Sequence, residues 1–476
     1  MPSIVVFLCL ALPWLNPFSP GPTPAVLPWL ITLASLALLL PWLARVRLAQ
    51  VAPAAWLAAA LVSAALGLFQ YFGTAGVLGP WVNNTVTGEA FANLRQRNQF
   101  ATLTNIGLAA LLWWWVARPA PRVLGLMAAA LLAMGNAASS SRTGLVQLVI
   151  LLAMAWGWDR RDGQWRQPDR WWLLVVAALA YAGAALALPL GAGLDLQASG
   201  ILARLHDGGP QCAGRLTLWS NVVHLITQKP WWGWGWGELT YAHFMTLYPG
   251  ARFCEILDNA HNLPLHLAVE LGVPVAALVC GAGVWWVWRA RPWQEADPIR
   301  RMAWAVLAVI LLHSLLEYPL WYGPFQVAFG LCLWLLWRPA VGASAPVLSA
   351  WAAIFLLSFS GYAAWDYERI SQIYRVPETR SPAYRENTLE KVGDSVLFGP
   401  QVRFAELTTT ELTLDNAAQI KGLARGLLHF SPEPRVVEKL IESASLLGLK
   451  DEALFYLVRY QAAYPDSHAR WAAQQP

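Results

Sequence analysis

Polar side chains that could bind an anion or move a proton gather in a few short stretches of an otherwise apolar chain. Arginine forks bind phosphate oxygens through two parallel hydrogen bonds, and histidine gains or loses a proton near neutral pH. Arginines beside a histidine therefore predict a site for a lipid-linked pyrophosphate with a proton-transfer group next to it. The stretches are Asn93–Gln99, Ser139–Thr143, Arg215–Trp219, Asp258–Asn262 with the following His266 and Glu270, and Glu317–Tyr318.

Each of these groups also has an ordinary structural explanation. Arg97 and Arg142 fall at the ends of apolar runs, where a long side chain can reach lipid phosphates. His261 could cap a helix or lie at a membrane surface. His266 and Glu270 are spaced like metal ligands on one helix face, but no third ligand is evident in the sequence. This favours a polar pair over a metal site.

Long uncharged runs dominate the chain and must position these residues. Of 476 residues, 57% are hydrophobic and 13% are charged, whereas a soluble domain carries roughly 25% charged residues. A helix needs about 20 apolar residues to cross a bilayer. The sequence therefore predicts an all-α, polytopic membrane protein of about eleven transmembrane helices. The runs are Val26–Ala44, Leu48–Phe69, Asn98–Ala117, Val123–Ser141, Thr143–Trp158, Trp171–Leu194, Leu271–Trp288, Tyr318–Trp337 and Pro339–Trp365, with weaker runs at Ile4–Phe18 and Met302–Leu316.

Arginines in the short connections predict which side of the membrane each loop faces. They alternate as the positive-inside rule requires if the N-terminus is cytoplasmic, and the C-terminal tail then lies outside. The polar stretches fall on the outer side, where arginine runs against this bias, and this weakens the explanation that these arginines only anchor the helices to lipid. The inner loops account for the net charge of +5, so no nucleic-acid partner is expected. The inner arginines are Arg45, Arg47, Arg118, Arg122, Arg160, Arg161, Arg166, Arg170, Arg289, Arg291, Arg300, Arg301 and Arg338.

Three regions follow one another along the chain. Residues 1–365 form a predicted membrane domain, and its one long outer loop, residues 195–262, is of the length that often carries function. Residues 366–476 form a predicted soluble helical domain outside the membrane. Its segments Pro432–Leu447 and Asp451–Tyr464 have apolar residues at helical spacing, as in a tetratricopeptide hairpin. The tryptophan-rich run Pro230–Gly237 could be an interfacial turn or an aromatic platform for sugars.

Two of the five cysteines, Cys212 and Cys254, fall in the long outer loop, and the other three fall in apolar runs. Outside the cytoplasm the compartment is oxidising, so cysteines there commonly pair. We therefore expect a disulfide between Cys212 and Cys254. Such a bridge would hold the region of Arg215 near that of His261.

Several motifs together resemble a known superfamily. The Arg215…Trp219, Pro230…Gly233-x-Gly235 and Asp258-Asn-Ala-His261-Asn series resembles the O-antigen ligases and O-antigen polymerases over roughly residues 90–338. Two further stretches, Asn93–Asn105 and the segment from His313 to Leu320, look like those of the bacterial O-oligosaccharyltransferases, also called protein or pilin glycosylation ligases. The helical tail is similar to theirs as well.

This resemblance implies a GT-C-like enzyme that works in the bacterial inner membrane, at its periplasmic face. The donor would be a glycan on undecaprenyl pyrophosphate, and the acceptor a Ser or Thr hydroxyl of a periplasmic or pilin protein. No cofactor, nucleotide sugar or metal would be needed. By the same resemblance His261 would be catalytic, Arg142 and Arg215 would bind the pyrophosphate, and Gln99 and Tyr318 would be needed for activity. The polar stretches add Arg97 to the phosphate ligands, and Asn259 and Glu317 to the site.

Other functions remain open at the level of sequence. Within the enzyme class, the chain could ligate O-antigen to lipid A–core or polymerise repeat units. A transporter or lipid flippase is the alternative from a different class, and it predicts ionisable residues at mid-span and broken helices in paired positions. The runs here are clean at their centres and the polar groups gather at one face, which favours the enzyme.

Overall fold

A computed structural model of the chain describes residues 2–42, 48–117, 121–163, 168–196, 199–206, 211–337 and 345–474. In these ranges the regular elements are helices, joined by turns and short 3₁₀ segments. The α-helices are α1 (Pro2–Leu15), α2 (Val26–Leu39), α3 (Leu48–Tyr71), α4 (Arg97–Ala117), α5 (Arg122–Ala138), α6 (Arg142–Arg161), α7 (Pro168–Gly191), α8 (Gly200–His206), α9 (Arg215–Gln228), α10 (Leu239–Met245), α11 (Leu263–Leu271), α12 (Val273–Ala290), α13 (Pro298–Ser314), α14 (Gly323–Trp337), α15 (Ala345–Ser371), α16 (Thr388–Val392), α17 (Gly399–Thr409), α18 (Ala417–Leu427), α19 (Pro434–Leu446), α20 (Lys450–Ala463) and α21 (Pro465–Ala472).

Within the described ranges, each of the eleven apolar runs is occupied mainly by one helix, and these helices are α1–α7 and α12–α15. Four helical segments in the described ranges are long and apolar enough to cross a membrane: Leu48–Tyr71, Trp171–Gly191, Val273–Gln294 and Val347–Tyr374. Four shorter apolar helices accompany them. The all-helical class and the multi-pass membrane character are thus confirmed, while the crossing of all eleven helices stays a prediction. Several inner arginines that predict the orientation lie outside the described residues: Arg45, Arg47, Arg118, Arg166 and Arg338.

The chain folds into two compact units, and the first comprises residues 1–208 and 284–361. Its helices approach closely through small side chains, which is how helices pack in membranes. A Cβ added at Gly107 of α4 would lie 2.3 Å from the Cβ of Ala60 on α3. One added at Gly135 of α5 would lie 2.8 Å from the Cβ of Ala64, also on α3. Glycine at these positions therefore lets α3, α4 and α5 form one tight bundle.

The second unit comprises residues 209–283 and 362–476, so it joins most of the long outer loop, together with α11 and the start of α12, to the tail. In the tail, α19 and α20 form a hairpin that turns at Gly448, whose φ of +72° suits glycine. Phe244 of α10 packs into the same apolar cluster as Leu440 and Tyr460 of that hairpin. The predicted helical segments of the tail are therefore present, and their tetratricopeptide kinship stays a prediction.

Candidate functional site

A polar network joins the first turns of α4 and α6 to the chain after α13 in the first unit. The Ser141 hydroxyl donates to Oδ1 of Asn98 over 2.6 Å, and Nδ2 of Asn98 donates to Glu317 over 3.3 Å. Ser141 also caps α6, because its Oγ accepts the Gly144 N–H at 2.9 Å. Asn98 thus holds two segments in place. One is the N-terminal end of α6, which begins at Arg142, and the other is the turn that carries Glu317.

The network continues into the helices themselves. Oγ1 of Thr102 lies 2.9 Å from Nδ1 of His313, and Gln147 donates to Thr102 and to the Val309 carbonyl, both over 2.8 Å. Asn105 donates to Gln147 over 3.2 Å. All of these side chains are buried. Thr102, Asn105 and His313 lie in the two stretches that resemble the O-oligosaccharyltransferases, but neither they nor Gln147 are predicted from the sequence as site residues. The apolar runs are therefore less free of polar groups than predicted from the sequence. Amides and a histidine within such runs are themselves a signal, because lipid disfavours unpaired polar groups.

The predicted residues of the first unit differ in their surroundings. Arg142 is the first residue of α6 and is exposed, whereas Arg97 begins α4 and forms an ion pair with Glu89. Gln99 is buried in α4, and the Tyr318 ring stacks on Tyr322 with centroids 5.9 Å apart. Both arginines begin a helix, where the helix dipole favours anions. Arg142 is exposed and accessible to an anion, whereas the charge of Arg97 is already paired with that of Glu89.

In the second unit, His261 has an unusual backbone conformation that its neighbours hold in place. Its φ is +49°, in the left-handed region that non-glycine residues rarely occupy. The His261 N–H donates to Oδ1 of Asn259 over 2.9 Å, and the Ala260 carbonyl accepts Nε1–H of Trp219 at 3.1 Å. Asn262 then caps α11 by accepting the Leu265 N–H at 3.1 Å. The Asp258–Asn262 motif is therefore a strained turn that presents one histidine at the start of a helix.

Helix α9 connects this turn to Arg215. Arg215 is the first residue of α9, and Trp219, which bonds the His261 turn, lies on the same helix face one turn further along. Cys212, just before α9, is joined in a disulfide to Cys254, with Cα atoms 5.4 Å apart. The Cys254 N–H also donates to the Cys212 carbonyl over 3.3 Å. A covalent bond and a side-chain hydrogen bond thus bring the start of α9 and the His261 turn into one substructure.

The tryptophan–glycine run forms a turn against the end of α11. Trp234 and Gly235 donate backbone N–H groups to the carbonyls of Val269 and Glu270, at 2.8 and 3.0 Å. A Cβ added at Gly233, whose φ is +68°, would lie 2.3 Å from the Glu270 carbonyl carbon and oxygen. Only glycine permits so close a backbone approach. The exposed Trp236 ring meets His266 edge-on, with centroids 6.0 Å apart.

His266 and Glu270 form a buried pair on α11, with Nε2 and Oε2 3.4 Å apart. Burial, and the nearby His261, lower the pKa of His266, so its ring is neutral. Burial raises the pKa of Glu270, and backbone N–H groups of Gly237 and Leu239 oppose that rise. Within the described ranges, no three His, Cys, Asp or Glu side chains are arranged to hold a metal ion.

Three family profiles match separate parts of the chain. The profile of the O-antigen ligases matches residues 127–280, and that of the protein glycosylation ligases matches residues 90–115. The C-terminal profile of virulence factor membrane-bound polymerases matches residues 301–476. The first of these contains Arg142, Arg215 and His261, and the second contains Arg97 and Gln99.

Two curated proteins are similar to the chain over about half its length. A general O-oligosaccharyltransferase of Acinetobacter baylyi is 25% identical over 268 residues, which cover 54% of this chain and 45% of that protein. An O-antigen ligase of Pseudomonas aeruginosa is 30% identical over 234 residues, which cover 49% and 48%. The chain thus spans about half the length of these curated relatives. No solved structure matches it. These matches confirm the resemblance that the motifs predict, to the O-antigen ligases and, among them, to the O-oligosaccharyltransferases and protein glycosylation ligases.

Proposed function

We propose that this chain transfers a glycan from an undecaprenyl-pyrophosphate carrier to a Ser or Thr hydroxyl of a protein. The observation that carries the proposal is the turn at His261, which sets a histidine in a strained conformation on the substructure that begins with Arg215. Backbone strain of this kind persists only where its surroundings hold it, and it concentrates at functional sites. The kinship with glycan-transferring proteins supplies the reaction class.

His261 acts as the general base in this proposal. A Ser or Thr hydroxyl is a weak nucleophile at neutral pH, and imidazole is suited to removing its proton during attack. The hydroxyl oxygen forms a bond to the anomeric carbon of the donor sugar, and the bond from that carbon to the phosphate oxygen breaks. The pyrophosphate leaves with the electron pair, and the proton moves to His261. A single displacement of this kind inverts the anomeric centre.

Arg215 stabilises the leaving pyrophosphate. Its guanidinium can bind two phosphate oxygens at once, and the first N–H groups of the 14-residue α9 add positive potential at the same end. Such preorganised charge lowers the barrier without a metal ion. Arg142, exposed at the start of α6, offers the same two features and is a second phosphate ligand in the proposal.

The location follows from the charge pattern of the loops. We place all eleven apolar helices across the bacterial inner membrane, with the N-terminus in the cytoplasm and with the long outer loop, residues 195–262, and the tail, residues 366–476, in the periplasm. The disulfide between Cys212 and Cys254 supports this placement, since disulfides persist in oxidising compartments. A periplasmic protein or a pilin can reach a site there, and membrane lipid surrounds the first unit.

A single expression experiment separates the possible acceptors. The chain is produced in a host that makes an undecaprenyl-linked glycan and lipid A–core but lacks its own ligase for that glycan. Mass spectrometry then measures glycan on Ser and Thr peptides of periplasmic proteins, and gel analysis measures glycan on lipid A–core. The proposal predicts glycopeptides.

Glycan on lipid A–core alone would overturn the protein acceptor and support the ligase activity that one relative's name describes. Glycan on neither, with donor present, would overturn glycan transfer to either acceptor.

In membrane vesicles the reaction should continue in EDTA. Loss of transfer that a divalent ion restores would instead contradict the metal-free mechanism.

A further inference from the structure

The peptide group of Ala260, which immediately precedes His261, is bonded on both sides and is fully buried. Its carbonyl accepts Nε1–H of Trp219 at 3.1 Å, and its N–H donates to Nδ1 of His266 over 3.5 Å. These two bonds fix the plane of the peptide from which the left-handed backbone of His261 starts. The His261 turn is therefore held by two side chains, Trp219 on α9 and His266 on α11.

His266 can play this part in only one tautomer. To accept the Ala260 N–H, Nδ1 must carry no proton, so the ring proton lies on Nε2. Nε2 is 3.4 Å from Glu270 Oε2, which can accept that proton's hydrogen bond. A carboxylate beside one ring nitrogen is a recurrent way to set the tautomer at the other.

We propose that His266 is a positioning residue for the candidate base His261, with Glu270 selecting its tautomer. This inference rests on the proposed function, because it gives His266 a role in the same transfer reaction. His266 touches no reacting atom in this account. It acts through the Ala260 peptide, and so it controls the direction in which the His261 imidazole is presented.

Glu270 also extends the support to the tryptophan–glycine turn. Its carboxylate accepts the backbone N–H groups of Gly237 and Leu239, and Trp236 packs edge-on against the His266 ring. The exposed turn and the His261 turn are thus connected through two buried side chains on one face of α11. A substrate that contacts Trp236 would therefore also affect His266 and Glu270, the two side chains that orient His261.

Two substitutions at His266 distinguish a positioning role from a packing role. Each keeps one function of the ring, either the acceptor at Nδ1 or the donor at Nε2. In His266→Asn the amide oxygen can occupy the place of Nδ1 and accept the Ala260 N–H, but the donor to Glu270 is lost. In His266→Gln the longer amide can place a donor near Nε2, but the acceptor for Ala260 is lost. Glutamine is nearer to histidine in size, so a packing role predicts the opposite order.

We expect His266→Asn to keep kcat for glycan transfer within about threefold of the native protein. We expect His266→Gln to lower kcat at least tenfold with little change in the KM for the lipid-linked donor, since a misplaced base slows the chemical step alone. A readout that needs no activity is hydrogen–deuterium exchange of the Ala260 amide. It should stay slow in the native protein and in His266→Asn, and become fast in His266→Gln.

The two readouts distinguish the possible failures. Transfer by the native protein with equal kcat and equal exchange in both variants would overturn the positioning role. Higher activity and slower exchange in His266→Gln than in His266→Asn would overturn it too, in favour of packing. If the native protein transfers no glycan while the exchange order holds, the proposed function fails but the hydrogen bond from Ala260 to His266 is upheld.

Discussion

Gly233→Ala is expected to separate the tryptophan–glycine turn from the end of α11. At this position the backbone φ is +68°, and an added Cβ would lie 2.3 Å from the carbonyl carbon and oxygen of Glu270 and 2.7 Å from the Leu271 nitrogen. All three are backbone atoms, which cannot move aside as the end of a flexible side chain could. The turn must therefore shift away from α11.

The cost of this shift can be worked out from the contacts that break. A left-handed backbone costs an L-residue roughly 1–2 kcal/mol. Moving the turn also breaks two backbone bonds, from Trp234 to Val269 and from Gly235 to Glu270. Each contributes about 1 kcal/mol. We expect the free energy of unfolding to fall by about 3 kcal/mol, which lowers the melting temperature of a unit of this size by roughly 6–12 °C.

Thermal unfolding of the purified protein in detergent measures this effect, and glycan transfer provides a second readout because the turn supports α11. Gly250→Ala is the matched control in the same unit, since a Cβ there meets nothing within 4 Å and the backbone is not left-handed. It should melt within about a degree of the native protein. An unchanged melting temperature in Gly233→Ala would refute the close approach of the turn to α11.

Three other outcomes follow from the same structure. Burial, together with the charge of Arg252, lowers the pKa of His243 to about 3. Below about pH 6.5, His243 therefore becomes protonated in the unfolded chain but stays neutral in the folded chain. The free energy of unfolding should fall by on the order of 2 kcal/mol between about pH 7.5 and pH 5, and His243→Gln should remove that part of the pH dependence, as thermal melts can check. Cys212 and Cys254 should label with a thiol reagent only after reduction, and labelling of both in denatured, unreduced protein would contradict the bridge. Arg142→Lys and Arg215→Lys should each reduce transfer at least tenfold, and native activity in both would show that a point charge suffices.

Much of the helical fold is predictable because lipid imposes a simple pattern. Runs of about 20 uncharged residues can satisfy their backbone in a membrane only as helices, and α3 at Leu48–Tyr71 begins where its run does. The break between α11 and α12 is harder to foresee. Apolar residues continue across it, and only Gly272, with φ +88°, marks the end of α11. The union of the loop with the tail depends on contacts between distant residues, such as Tyr241 stacked on His429, which no local pattern encodes.

The candidate site, like the fold, is predictable from the sequence only in part. Residue type and spacing single out Arg215 and His261, because ionisable groups are unusual beside apolar helices. They say nothing of what holds those groups in place. The bonds of Ala260 to Trp219 and His266 depend on a turn geometry that becomes visible only in three dimensions. The buried pair of Thr102 and His313 joins residues more than two hundred positions apart.

The central claim is that His261 is the base of a glycan-transfer reaction, and one rate comparison tests it most directly. Purified native protein, His261→Ala and the control His224→Ala, a half-buried histidine on α9 in the same unit, are given a lipid-linked glycan and an acceptor peptide. The account predicts that His261→Ala lowers the transfer rate at least a hundredfold with an unchanged melting temperature, while His224→Ala stays within about threefold. A His261→Ala protein that transfers glycan at close to the native rate would contradict the account.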